Sequence, residues 1–122
     1  MKITEIAFVT YAVEDIARAR KFYEEVLGLK ASSVWEGEGM AFIEYEIGPH
    51  TLAIGKGAPN FKVGTSGPTV AVEVEDFDKA VEELKAAKVN FSMEPHDTGG
   101  CNMALVNDPD GNQIMIHRRK AK

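Results

Sequence analysis

The chain alternates between two hydrophobic periodicities, and it does so twice. Residues 6–13 form an apolar run rich in β-branched and aromatic side chains, which predicts a strand. Behind it, Ile16, Ala19, Phe22, Tyr23, Val26 and Leu27 recur at steps of three and four, the spacing that gathers side chains on one face of a helix. Asp15 is placed to cap the first turn and Gly28 to end the last, so a helix is predicted over residues 16–27. Residues 69–74 again read as a strand, Asp76 again as a cap, and Phe77, Ala80, Val81, Leu84 and Ala87 again as a helical stripe. After the first helix come strand candidates at 30–35, 40–47 and 51–54; after the second, at 90–93, 102–106 and 113–116. Val13-Glu14-Asp15 superposes on Val74-Glu75-Asp76 at an offset of 61 residues, half of the 122-residue chain, so the pattern is a tandem duplication of a βαβββ module.

Turn chemistry divides the modules. Asp108-Pro109-Asp110-Gly111 joins the last two strands of the second half, with Pro preset for the first central turn position and Gly able to take positive φ. Gly48-Pro49 does similar work in the first half. Residues 57–67, with Gly57, Pro59, Gly64 and Gly67, read as a linker between a first module, 1–56, and a second, 68–122, of one domain spanning 1–122.

Strand alternation assigns two faces. Val9, Tyr11 and Val13, then Leu52 and Ile54, then Val70, Val72 and Val74, then Ile114 and Ile116 make one uniformly apolar face, predicted to lie under the helices. The other face carries Phe8, Thr10 and Ala12 on the first strand, Glu44 and Glu46 on the third, and Thr51 and Ala53 on the fourth. In the second half it carries Thr69, Ala71 and Glu73, followed by Gln113, Met115 and His117 on the last strand. Solvent exposure alone would select more Lys and Glu there. The expected fold is therefore α+β, with eight strands in a curved mixed sheet around a cleft whose inner face binds a small organic ligand, and with Trp35 as a stacking wall.

Charge and composition narrow the partners. With 44% hydrophobic residues the chain can build a core of its own, and a net charge of −5 disfavours nucleic acid, which requires a basic surface. The basic cluster His117-Arg118-Arg119-Lys120, with Lys122, reads as a solvated tail. The single Cys101 has no partner within the chain and no cationic neighbour in sequence, and reads as an inert thiol. No apolar run approaches 18 residues and no basic-then-apolar leader is present, so no membrane partner and a cytoplasmic location are expected. His50 and His96, next to Pro49 and Pro95, read as solvated turn residues.

Val13-Glu14-Asp15-Ile16 followed by Phe22-Tyr23-Glu24-Glu25-Val26-Leu27-Gly28-Leu29, together with Asp108-Pro109-Asp110-Gly111-Asn112 ahead of an apolar strand, resembles the vicinal oxygen chelate superfamily. That group includes glyoxalase I, bleomycin resistance proteins, fosfomycin resistance proteins and extradiol dioxygenases. The resemblance implies the paired βαβββ fold, a homodimer and, in metal-using members, a divalent ion held by His or Glu from the first and fourth strands of each module. Here those positions fall on Phe8, Ala53, Thr69 and Met115. Phe and Ala offer no donor, a Thr hydroxyl is weak, and a thioether is soft where such ions prefer carboxylate or imidazole. The expectation is a metal-independent small-molecule binding protein with no cofactor, similar to bleomycin resistance proteins. The alternative is a glyoxalase-type lyase or isomerase that uses a displaced metal site or general acid/base chemistry from Glu44, Glu73 or His117.

Overall fold

The computed structural model describes residues 2, 4–58, 62–64 and 67–120; Pro59 of the expected linker and Lys122 of the expected tail lie outside the described residues. The chain divides into two compact units, Met1–Val63 and Gly64–Lys122, with the division inside the segment read as a linker.

The first unit runs β1 (Val9–Ala12), α1 (Ile16–Arg20), β2 (Ala31–Gly37), β3 (Met40–Ile47) and β4 (His50–Lys56). Its sheet has the order β1-β4-β3-β2, with β1 parallel to β4 and the other pairs antiparallel. The second unit repeats this as β5 (Val70–Glu73), α2 (Phe77–Ala86), β6 (Phe91–Asp97), β7 (Cys101–Asn107) and β8 (Gln113–Arg119), in the order β5-β8-β7-β6. The protein is thus α+β, with eight strands in two mixed four-stranded sheets among the described residues. The duplication extends to single bonds: Val9 faces Leu52 as Val70 faces Ile114, and Val13 N–H donates to Gly55 O as Val74 N–H donates to His117 O, both at 2.9 Å.

Both helices start where their caps predict. Asp15 accepts from Arg18 N–H at 3.0 Å and Asp76 from Lys79 N–H at 3.1 Å, each satisfying a donor that the first turn leaves without a helical partner. The predicted helix over 16–27 is not uniform. Past Arg20 it widens into a π-helix, Lys21–Val26, and Leu27 N–H reaches back five residues to Phe22 O at 3.0 Å. The wider turn buries Phe22 and Tyr23 together, rings edge-on at 5.1 Å, and Tyr23 stacks on Tyr45 of β3 at 5.9 Å.

Most of the face expected under the helices is the core, although Val9, Val70, Val72 and Val74 of that face are only half-buried. Tyr11, Val13, Ile43, Tyr45, Leu52 and Ile54 are buried in the first unit, and Ala104, Val106, Ile114, Ile116, Phe77 and Leu84 in the second. The Asp108 turn is pinned by its own carboxylate, whose Oδ1 accepts from Asp110 N–H and Asn112 N–H at 2.9 and 2.8 Å while Oδ2 accepts from Asn112 Nδ2. Gly111 takes φ 89° there, a conformation that side chains with a Cβ rarely adopt.

Several strands depart from their predicted ends. β1 is shorter than 6–13 and leaves Phe8 before it; β4, β6 and β8 are longer than their apolar runs because backbone pairing continues past the last apolar residue. β6 is an edge strand with register shifts on both sides of Met93, and Pro95, which has no N–H for the ladder, lies in the second of them.

Candidate functional site

Each sheet has a face turned away from its core side chains, and the ladders fix which residues lie side by side on it. In the first unit one row crosses β1, β4, β3 and β2 as Thr10, Ala53, Glu44 and Ser33, and the next as Ala12, Gly55, Phe42 and Trp35. The corresponding rows of the second unit are Ala71, Met115, Leu105 and Met93, then Glu73, His117, Met103 and His96.

The face of the first unit is aromatic. Phe8 and Trp35 are about half exposed, at 49% and 51%, and the Phe8 ring meets Phe42 edge-on at 5.7 Å. Thr51, opposite Glu46, is half-buried, as is Glu44. Ala53 corrects an expectation: it belongs to this face by register, yet its exposure is 0%, so it offers no open floor and no room for a larger side chain.

The face of the second unit is polar at its two ends and apolar between. At one end the exposed Thr69 donates its hydroxyl to Gln113 Oε1 at 3.2 Å. Exposed Ala71 lies beside half-buried Met115 in the middle. At the other end Glu73 Oε1 lies 2.6 Å from His117 Nδ1, and Glu73 Oε2 accepts from Arg119 N–H at 2.6 Å. The Arg119 amide, and then the His117 ring, hold the Glu73 carboxyl below the usual carboxylate range. An ionised carboxylate has no proton to give, so at this distance Nδ1 must carry the hydrogen and donate it.

This pairing revises the sequence reading of a basic tail. His117 lies within β8, and Lys120 is tied to Asp97 at 2.7 Å. His50 opens β4 and His96 lies in β6, so neither occupies a turn. Cys101 has a cationic cross-strand neighbour after all in Arg119, and its Sγ lies 3.2 Å from Thr98 Oγ1. Phe42, Met103 and Leu105 were not singled out from sequence. Alternation along β3 and β7 puts them on the open face, but only the pairing register says which neighbours they meet.

On the core side of the first unit, Glu24 accepts from Arg20 Nε at 2.6 Å and from the Tyr45 hydroxyl at 2.9 Å. The Arg20 bond, then the Tyr45 bond, lower the Glu24 pKa, while burial and the Glu24 carboxylate raise that of Tyr45. A cleft of about 300 Å³ opens beside Arg20, Lys21, Glu24 and Glu36, and Arg20 and Glu24 form an ion pair at 2.6 Å on its wall.

The four positions implied for a metal do not fit one. Phe8 packs against Phe42, Ala53 carries only a methyl group, Thr69 bonds Gln113, and Met115 supplies a thioether. Among the described residues, no group of three or more His, Cys, Asp or Glu side chains is arranged to hold a metal ion. No helix among them is long and apolar enough to cross a membrane.

The model of the Glyoxalase/Bleomycin resistance protein/Dioxygenase superfamily matches residues 5–116, and the chain belongs to that family. A lactoylglutathione lyase of Haemophilus influenzae is 29% identical over 96% of this chain and 94% of its own length. A lactoylglutathione lyase of Arabidopsis thaliana is 33% identical over 91% of this chain, which spans only 43% of that relative. Among solved structures, TnmS3, an antibiotic binding protein from Streptomyces sp. CB03234, shares the fold with a TM-score of 0.83 at 21% identity, over 98% of this chain and 99% of that one.

Proposed function

We propose that this protein binds a small organic molecule on the open faces of its sheets, without a resident metal ion at the positions its family uses. The observation that carries the reading is the donor set: Phe8, Ala53, Thr69 and Met115 stand where His or Glu would be needed, and Phe8 and Thr69 are already engaged with Phe42 and Gln113. Half-exposed Phe8 and Trp35 on one unit, and Met103, Leu105 and Met115 on the other, supply apolar surface with a few polar groups among it, the usual composition of a small-molecule site. That an antibiotic binding protein is built on the same fold agrees with this reading.

The lactoylglutathione lyases among the relatives keep a second reading in play, and the Glu73–His117 pair favours it. A carboxylate that orients an imidazole is the arrangement a metal-free general base would use. The homodimer remains part of the proposal. β2 and β6 end their sheets with one ladder each, and pairing or covering such edges is a common reason for association.

A thermal-shift screen of neutral, cationic and anionic organic compounds, run in excess chelator, tests the proposal. Stabilising hits that persist in chelator and vanish in Thr69→Lys support it. Hits that require added Ni or Zn, or lactoylglutathione lyase activity that appears with those ions, would replace it with the metal-dependent reading.

A further inference from the structure

We infer that the Glu73–His117 pair is the recognition point for the hydroxyl group of an aromatic ligand of the phenol class, whose ring lies against Met103 and Met115. The inference rests on the small-molecule reading above and names the chemistry of its ligand. Glu73 uses both carboxylate oxygens, one for His117 Nδ1–H and one for Arg119 N–H, each at 2.6 Å. That fixes the ring orientation and, in the neutral imidazole, the tautomer: Nδ1 carries the proton, and Nε2 presents a lone pair. Among the described residues no group bonds Nε2, and it is not among the sealed polar atoms. The His117 side chain is only 20% exposed, so a partner for Nε2 would be partly shielded from competing water. A lone pair requires a donor, and a hydroxyl supplies one.

The surroundings of His117 say what should carry that hydroxyl. Met103 is its direct cross-strand neighbour on β7, and Met115 lies two residues back on the same face of β8, both half-buried. Thioethers flanking a hydrogen-bond acceptor suit a flat π-system, since sulfur makes favourable contacts with aromatic rings and methionine adapts to their outline. The first unit has Ala12 and Gly55 at the matching row positions and no comparable polar point. Recognition of the hydroxyl is therefore a property of the second sheet alone.

The test compares 1-naphthol with 1-methoxynaphthalene, which has the same ring but cannot donate, by titration calorimetry. The folded protein is expected to prefer the naphthol about tenfold, the effect of one partly shielded hydrogen bond. His117→Phe should bring that preference to about one while both compounds still bind. Glu73→Leu should remove most of it, and ¹⁵N spectra of the His117 ring should show the tautomer becoming mixed, a change that a purely structural role for Glu73 would not produce. In the unaltered protein, ¹³C-methyl spectra should show ring-current shifts at Met103 and Met115 and none at Met40. Equal binding of the two naphthalenes, or a preference that survives His117→Phe, overturns the inference and leaves the small-molecule reading standing. Failure of both naphthalenes to bind overturns it as well, and the chelator screen then decides separately whether that reading survives.

Discussion

The two units share every ladder and differ on nearly every open-face residue. In the row holding Ala12, Gly55, Phe42 and Trp35, the first unit presents small residues and aromatic rings; the same row of the second holds Glu73, His117, Met103 and His96. On the core side the correspondence is close, with Leu52 and Ile54 answered by Ile114 and Ile116, all buried. The core face has to fill space at near-crystalline density, so it tolerates little change in volume or polarity. The open face, fully buried Ala53 apart, carries no such requirement. After duplication it was free to diverge, and the chemistry of the molecule now differs between the units there.

The largest effect should come from breaking what the units share. Ile54→Asp and Ile114→Asp each bury an unpaired charge at a side chain with no exposure, and each should cost several kcal/mol, on the order of 4 or more, and melt its own unit in denaturant titration. A large cost at one position with tolerance of Asp at the other would contradict the equivalence of the two cores.

Next in size is a device that only the second unit has. Asp108→Ala removes a buried carboxylate that accepts from the Asp110 and Asn112 N–H groups and from Asn112 Nδ2, so thermal melting should show a loss of about 2–3 kcal/mol. Pro49→Ala, at an exposed hairpin position of the first unit, should change stability by less than about 0.5 kcal/mol.

A smaller effect belongs to the first unit. Tyr45→Phe deletes the hydroxyl bonded to Glu24 and should cost about 1 kcal/mol. Because Arg20 and Tyr45 depress the Glu24 pKa, the stabilisation is present above the unfolded carboxylate value of 4.5 and is lost as pH falls through the lower folded value. The stability difference between the unaltered protein and Glu24→Gln should therefore shrink on acidification, and a difference that grows instead would contradict the assignment. A small effect on the fold is also expected of Trp35→Ala. Its half-exposed ring should cost the fold less than about 1 kcal/mol by chemical denaturation while weakening ligand binding on the open face.

Much of this architecture was legible because duplication doubled the signal. The caps Asp15 and Asp76, the two helical stripes and the Asp108 turn follow from side-chain chemistry within a few residues of one another, where one sequence suffices. β3 was read to its observed ends because alternation persists along its whole length, as Ala41, Ile43 and Tyr45 show. The Glu73–His117 pair was not legible as a pair. Its partners stand 44 residues apart, and a parallel ladder between β5 and β8 has to set the register before they meet. Met103 and Phe42 stayed hidden for the same reason, and the full burial of Ala53 could not be read from strand alternation, which assigns a face but not an exposure.

The open faces are proposed to hold an organic ligand where metal-using members of the family would hold an ion. Native mass spectrometry of the protein, after incubation with Ni and Zn and dialysis, tests it most directly. A mass about twice 13.3 kDa, that of the proposed dimer, with no retained ion is expected. About one ion retained per chain, and lost on Glu73→Ala or His117→Ala, would contradict it.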